Sequence, residues 1–296
     1  MLEGVWLQWR GVAGQRARTG AYLGTDPGAD AGPNPGAPSG AGSGSGSGSD
    51  NEPDAGLRAD PGSDTRGPGA GIRVERLWGA PREALDVQER GLRYRVHPGL
   101  HRNAGLFLDA APARAWLRET AAGLRVLNLF AYTCSFSVAA LAGGARDVVN
   151  LDMAAGALAI GRHNHRLNAL AGATFLSHEL FRSWGALRRR GPFDLVVVDP
   201  PSFQRGSFEA DRHWPRLLGR LPGLLSGSGR VLVCLNSPFH GLDQLDAWRQ
   251  DHAPGLFLQE SLPRSPQFPE VDPDRGLKVQ VWSAAVSPAP AAARRA

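Results

Sequence analysis

Two cysteines in 296 residues, Cys134 and Cys234, exclude a disulfide framework and a zinc cluster, and they suit a reducing compartment. Lysine is nearly missing: Lys278 is the only one, so almost all of the basic charge is arginine. No apolar run approaches the roughly 20 residues that span a bilayer. The opening MLEGVWLQWRG has no basic stretch leading into an apolar one, as a secretory leader would. The expectation is a cytoplasmic protein without membrane association. The dinucleotide fingerprint GxGxxG is absent from the loop where it would be needed, which disfavours NAD and FAD. HELFR (His178 to Arg182) lacks the second histidine of HExxH, and His163 and His165 fall on different helix faces, so no metal site is expected.

What is present is uneven. The net charge of +5 makes a polyanion a plausible partner, and arginine suits phosphate and base contacts. Residues 24–72 collapse to Gly, Ala, Pro, Ser and Asp around GAGSGSGSGSD. Such a composition cannot bury enough apolar surface to offset its ordering entropy, so this is read as a disordered insertion. VWLQWR before it and IRVERLW after it read as strands, followed by a hairpin turning at Arg90-Gly91 with Leu92, Tyr94 and Val96 alternating. Residues 1–23 and 73–122 thus form a small N-terminal β extension, 123–286 a larger domain and 287–296 a tail.

From Arg125 onward, strand and helix patterns alternate. RVLNLF, DVVNLDM, ATFLSHE, FDLVVVD and RVLVCLN are separated by four stretches of helical length. Nearly continuous apolar strands between helices imply a parallel sheet covered on both faces, hence a doubly wound, Rossmann-like α/β fold. LFLQESL and LKVQVWS close the chain without a helix between them, which predicts a terminal antiparallel hairpin on the sheet edge.

In such sheets ligands sit beyond the carboxyl ends of the strands. Asp152 ends the second strand, where a carboxylate can accept from ribose hydroxyls or simply cap the next helix. Glu179 follows the third, placed either for an adenine amino group or as a solvated loop acid. VVVDPPSFQ (Val196 to Gln204) places Asp199, two prolines and Phe203 at the tip of the fourth. RSWGALRRR and DRHWPRLLGR mix arginine with Trp184 and Trp214, either as an RNA-tracking surface or as amphipathic helices with core tryptophans. Arg205 stands where the rim of the site would be.

NAGLFLDAAPARAWL, RVLNLFAYTCSFSVAALAGGA, VVNLDM with ALAIGRHNHRLN, and FDLVVVDPPSF together resemble the class I S-adenosylmethionine-dependent methyltransferases acting on 23S rRNA. Within these, the resemblance is to the group holding the large-subunit cytosine-C5 and guanine-N7 enzymes, and it runs from about Asp86 to Ser283. It implies S-adenosylmethionine as cofactor and 23S rRNA or the large ribosomal subunit as partner. It further implies that Asp109, Arg114, Asn128, Phe130, Tyr132 and Thr133 surround the methionine part, that Asp152 holds the ribose and Glu179 the adenine. Cys134 stands where relatives usually have glycine and Glu179 where they have aspartate. The expectation is that the extra N-terminal RNA-binding domain of several relatives is absent or reduced.

The methyl of a sulfonium is already electrophilic, so the acceptor must be positioned and prepared. Asp199 and the Pro200 carbonyl could accept the hydrogens of a base amine while Phe203 stacks on the ring; for a ring nitrogen the same loop would hold the base edge. A cytosine C5 needs a thiolate instead. The cysteine that supplies it in the cytosine relatives aligns with Asn236, and Cys234 lies set back by about 6.6 Å along the strand. The reading is therefore transfer to a guanine nitrogen, with Asp199, Pro200, Phe203 and Asn236 around the base. Two rivals stand beside it: cytosine-C5 transfer through Cys234, and a non-catalytic RNA-binding member in which Cys134 spoils the cofactor site.

Overall fold

The computed structural model describes residues 4–10, 72–79, 83–98, 103–201, 203–204, 208–269 and 272–284. The expected disordered segments fall outside these residues, apart from Ile72. Contacts divide the chain into Met1–Gln8 with Val74–Ala296, and Trp9–Arg73, of which only the strand ends 9–10 and 72–73 are described.

Strands β1 (Gly4–Arg10) and β2 (Ile72–Gly79) pair in a sheet of their own. β3 (Leu85–Glu89) and β4 (Leu92–Val96) form the expected hairpin. Its turn residues Arg90 and Gly91 have φ of 49° and 83°, the left-handed pair that a two-residue turn requires. Leu92, Tyr94 and Val96 are buried, as their alternation predicts.

The main unit then runs α1 (Ala111–Thr120), β5 (Arg125–Leu129), α2 (Ser135–Ala142), β6 (Asp147–Asp152), α3 (Ala155–Leu167), β7 (Ala173–Ser177), α4 (Leu180–Arg190) and β8 (Phe193–Val198). Two short strands follow, β9 (Phe203–Gln204) and β10 (Phe208–Glu209), then α5 (Ala210–Leu218), β11 (Leu225–Asn236), α6 (Leu242–His252), β12 (Phe257–Ser261) and β13 (Leu277–Ser283). The seven-stranded sheet has the order β12-β13-β11-β8-β5-β6-β7, with β11, β8, β5, β6 and β7 parallel. Strand order reverses at β5 and β8, which puts the ligand crevice beyond their carboxyl ends.

Alternate residues of each central strand feed two cores. Leu127, Leu129, Val196, Val198 and Val233 pack with Trp184 of α4, Trp214 of α5 and Trp248 of α6. Val126, Leu195, Val197, Leu232 and Cys234 pack with Ala113 and Leu117 of α1 and Phe136 of α2. Trp184 and Trp214 are thus core residues. Arg220 stacks over Trp184 at 5.7 Å and Arg216 over Phe181 at 4.1 Å. Of the two readings for these helices, the amphipathic one holds for the tryptophans.

The terminal hairpin is present, but its returning strand lies inside the sheet. β13 pairs antiparallel with β11 on one side and with β12 on the other, leaving β12 at the edge. Burial explains the order: Val279, Val281 and Trp282 of β13 are buried, whereas every residue of β12 is exposed. Two helices, α1 and α6, are not among the four helical stretches read from the sequence. α1 buries only Ala113, Arg114 and Leu117, and α6 only Leu245 and Trp248. Among the described residues no helix is long and apolar enough to cross a membrane.

Candidate active site

The β5–α2 loop bends through three left-handed residues, Phe130 (φ 56°), Tyr132 (φ 47°) and Cys134 (φ 61°), with no glycine among them. Non-glycine residues hold such angles only where surrounding contacts over-determine them. Here they do. The Tyr132 amide donates to Asp152 Oδ2 at 2.7 Å, Thr133 Oγ1 to the Gly105 carbonyl at 2.6 Å and Tyr132 Oη to the Asn103 carbonyl at 3.1 Å. Asn164 Nδ2 of α3 donates to the Thr133 carbonyl at 3.0 Å. The Phe130 ring meets Phe208 edge-on, with centroids 5.4 Å apart.

Cys134 is fully buried, clustered with Ala131 and Leu158 and packed against Gly161 of α3. Burial, and then the charge of Asp152, push its thiol well above the usual range.

Asp152 joins this loop to the tip of β6. Its second oxygen accepts from the Ala154 amide at 2.8 Å, and burial raises its carboxyl. With the Met153 amide also facing it, backbone donors take three of its roughly four lone-pair sites, which leaves one to accept from a hydroxyl of a diol.

Two expected cofactor residues have protein partners of their own. Glu179 caps α4, its two oxygens accepting from the amides of Phe181 (2.9 Å) and Arg182 (2.7 Å). It precedes the helix in an extended conformation, and its side chain is long enough to curl back onto the first turn. Asn128 is buried and donates to Asn150 Oδ1 at 2.9 Å. It begins a polar chain through Asn150 and Ser137 to His165, whose Nδ1 lies 2.7 Å from the Gly161 carbonyl. Burial lowers the His165 pKa. This chain braces the core beneath the loop, so Asn128 does not line the crevice with its amide. Among the described residues no group of three or more His, Cys, Asp or Glu side chains is arranged to hold a metal ion.

The second half of the site gathers at the tips of β8 and β11. Asp199 directly follows β8. Burial first, and then the charge of Asp109, push its carboxyl up to about 7, against the opposing pull of Arg114. Asp109 lies in the single 3-10 turn Leu108–Ala110 that leads into α1. Arg114 is 2% exposed and grips Glu89 of the β3–β4 hairpin, Nε to Oε1 at 2.8 Å and Nη2 to Oε2 at 2.6 Å. Its Nη1 is buried with no hydrogen-bond partner.

Pro200 is buried and Pro201 half-buried. Beyond them, β9 and β10 fold the loop into a miniature hairpin, Gln204 opposite Phe208 and Phe203 opposite Glu209. The Phe203 side chain and Arg205 lie outside the described residues. Asn236 ends β11, exposed and opposite Leu277. Cys234 lies in the core on the α1–α2 face, and burial with Asp199 and Asp109 raises its thiol well above the usual range.

The sequence did not single out Glu89, the partner of Arg114, or the α3 asparagines. Asn164 and Asn168 accept from the amides of Arg93 and Arg95 crosswise, Asn168 Oδ1 from Arg93 and Asn164 Oδ1 from Arg95, both at 2.8 Å. Their i, i+4 spacing in HNHRLN was the available signal, because it matches the i, i+2 step of a strand edge.

Residues 68–283 match the family model described as S-adenosylmethionine-dependent methyltransferase. The chain is 32% identical over 180 residues to ribosomal RNA large subunit methyltransferase K/L of Psychrobacter sp. and 36% identical over 126 residues to ribosomal RNA large subunit methyltransferase I of Aeromonas salmonicida. These alignments cover 58% and 42% of this chain but only 22% and 32% of the relatives, so the chain spans less than a third of either. Among solved structures it resembles a methyltransferase complexed with S-adenosylhomocysteine, with a TM-score of 0.65 and 28% identity over 71% of this chain and 58% of the other. A second similar structure, from Streptococcus mutans, gives a TM-score of 0.67 at 26% identity with the same coverage. With nearly three quarters of its residues inside the family model, the chain belongs to the S-adenosylmethionine-dependent methyltransferase family.

Proposed function

We propose that this protein transfers a methyl group from S-adenosylmethionine to a guanine nitrogen of 23S rRNA. The observation that carries the reading is the cluster of Asp199, just beyond β8, with Asp109 and Arg114 from the start of α1. Two neighbouring acids in a desolvated place favour a cationic ligand, and the orphaned Nη1 of Arg114 favours an anionic one. The methionine part of the cofactor, with its ammonium, sulfonium and carboxylate, meets both demands. Asp152 would take a ribose hydroxyl. The cofactor supplies an electrophilic methyl on sulfur; the rest falls to the chain.

Asp199 and the Pro200 carbonyl would accept from the edge of a base. A carboxyl poised near neutrality suits an acceptor that must lose a proton, as a base amine does. For a ring nitrogen the same pair would only hold the base edge. Cys234 supports a nitrogen over a carbon, because a buried thiol held in its neutral form is a poor nucleophile. The homologues named as ribosomal RNA methyltransferases support the choice of RNA.

The test is transfer of an isotope-labelled methyl to rRNA from cells lacking this gene, followed by digestion and nucleoside mass spectrometry. Label in a methylguanosine supports the reading. Label in 5-methylcytidine overturns the nitrogen, and cofactor binding without labelled RNA overturns the substrate. Failure to bind S-adenosylmethionine at all favours the non-catalytic rival. In the same assay Cys234→Ala is expected to keep turnover within about twofold of wild type, whereas loss of a covalent nucleophile would cost several orders of magnitude.

A further inference from the structure

We propose that Phe239 is a stacking platform for an unpaired RNA base flanking the one that is methylated; this rests on the reading above. Phe239 is 87% exposed, the most exposed large apolar side chain among the described residues. Leaving such a ring in water forgoes the favourable free energy of burying it, and a single exposed apolar residue would need no explanation on a mobile loop. This one sits on a braced turn. The amides of Phe239 and His240 both donate to Ser237 Oγ at 3.2 Å, and Ser237 Oγ lies 2.9 Å from His240 Nδ1. His240 Nε2 in turn meets Asp211 Oδ1 of α5 at 2.8 Å, and the His240 ring packs on Trp248 of α6.

The sole lysine completes the bracing. Lys278 is buried, and its Nζ donates to the Ser237 carbonyl at 2.9 Å and to the Asp274 carbonyl, tying the turn to the start of β13. Three elements therefore fix a short turn that exposes a phenyl ring beside Pro238.

Its place supplies the ligand class. Val233 of β11 pairs with Val198 of β8, so Cys234 is level with Asp199 and Asn236 stands about 6.6 Å further out. The turn bearing Phe239 follows Asn236 at the carboxyl end of β11, the same end of the sheet at which Asp199 leaves β8 and the proposed acceptor pocket would lie. A base extruded into that pocket leaves its neighbour unstacked, and a fixed aromatic face at the mouth replaces the lost stacking partner. Stacking tolerates any base, so this contact selects single-stranded RNA rather than a sequence.

The experiment uses the full chain, a fluorescent single-stranded RNA oligonucleotide and the rRNA transfer assay. Phe239→Ala is expected to weaken oligonucleotide binding and raise the KM for rRNA about 5- to 100-fold. kcat, S-adenosylmethionine affinity and thermal midpoint should stay close to wild type, and Phe239→Trp should restore binding. Unchanged oligonucleotide affinity and KM in Phe239→Ala would overturn the proposal, as would an altered oligomeric state by light scattering without any change in RNA binding. If wild type methylates no rRNA yet Phe239→Ala still weakens oligonucleotide binding, the platform stands and the rRNA methylation reading falls.

Discussion

Asp199→Asn is expected to lower methyl transfer by about a hundredfold or more while making the ligand-free protein more stable. Both effects come from one carboxyl. Its folded pKa is raised from 3.8 to about 7, so the folded state holds this proton more tightly than the unfolded chain does. The favourable contribution of the protonated carboxyl is complete below pH 3.8 and is lost as pH rises through about 7. Above that pH the fold carries an ionised group in a desolvated place beside Asp109. Three pKa units correspond to about 4 kcal/mol, and partial contact with solvent reduces this to about 2 to 4 kcal/mol.

The amide variant removes the penalty. Its gain in urea stability should therefore be small at pH 4, grow between pH 4 and 7, and level off beyond. A constant gain, or a loss, at every pH would sink the argument. Activity should move the other way. In wild type, kcat/KM should rise through a pKa near 7 as the carboxylate forms, and the variant should lack that limb. Asp199 is thus a place where stability yields to function.

The same acid shows what the sequence makes legible. A parallel strand buried on both faces reads as an unbroken apolar run, so the acid ending it stands out. Asp152 and Asp199 are recognisable at the tips of β6 and β8 for this reason, and with them the doubly wound order. What depends on side-chain direction is not legible. Asn128 occupies a matching position, yet its amide turns into the polar chain toward His165. Glu179 stands at the expected strand end and closes on the next helix. Arg114 fits its motif, but its partner Glu89 lies 25 residues away on a hairpin whose docking no local pattern encodes. The place of β13 inside the sheet likewise follows from three-dimensional burial and not from chain order.

The β5–α2 loop yields the sharpest packing test, because Cys134 and Gly161 share one space. A Cβ on Gly161 would lie 2.5 Å from Cys134 Sγ and 3.1 Å from its Cβ, both inside a fully buried contact. Gly161→Ala is therefore expected to destabilise the protein by about 2 to 3 kcal/mol, beyond what the better helix propensity of alanine offsets. Separating α3 from the loop would also disturb Thr133, which α3 holds through Asn164, and cofactor affinity should fall with stability. Cys134→Gly alone should be nearly neutral. It removes a buried sulfur, but it relieves a left-handed conformation at φ 61° that glycine adopts freely. Combined, the two changes should restore most of the lost stability, because the alanine methyl enters the space the sulfur leaves. A double-mutant cycle in urea should thus give a coupling of about 1 to 3 kcal/mol, with S-adenosylmethionine affinity recovering in parallel. Strict additivity would mean that the thiol is free to swing away from α3, and that the loop owes its shape to Asp152 and Asn164 alone.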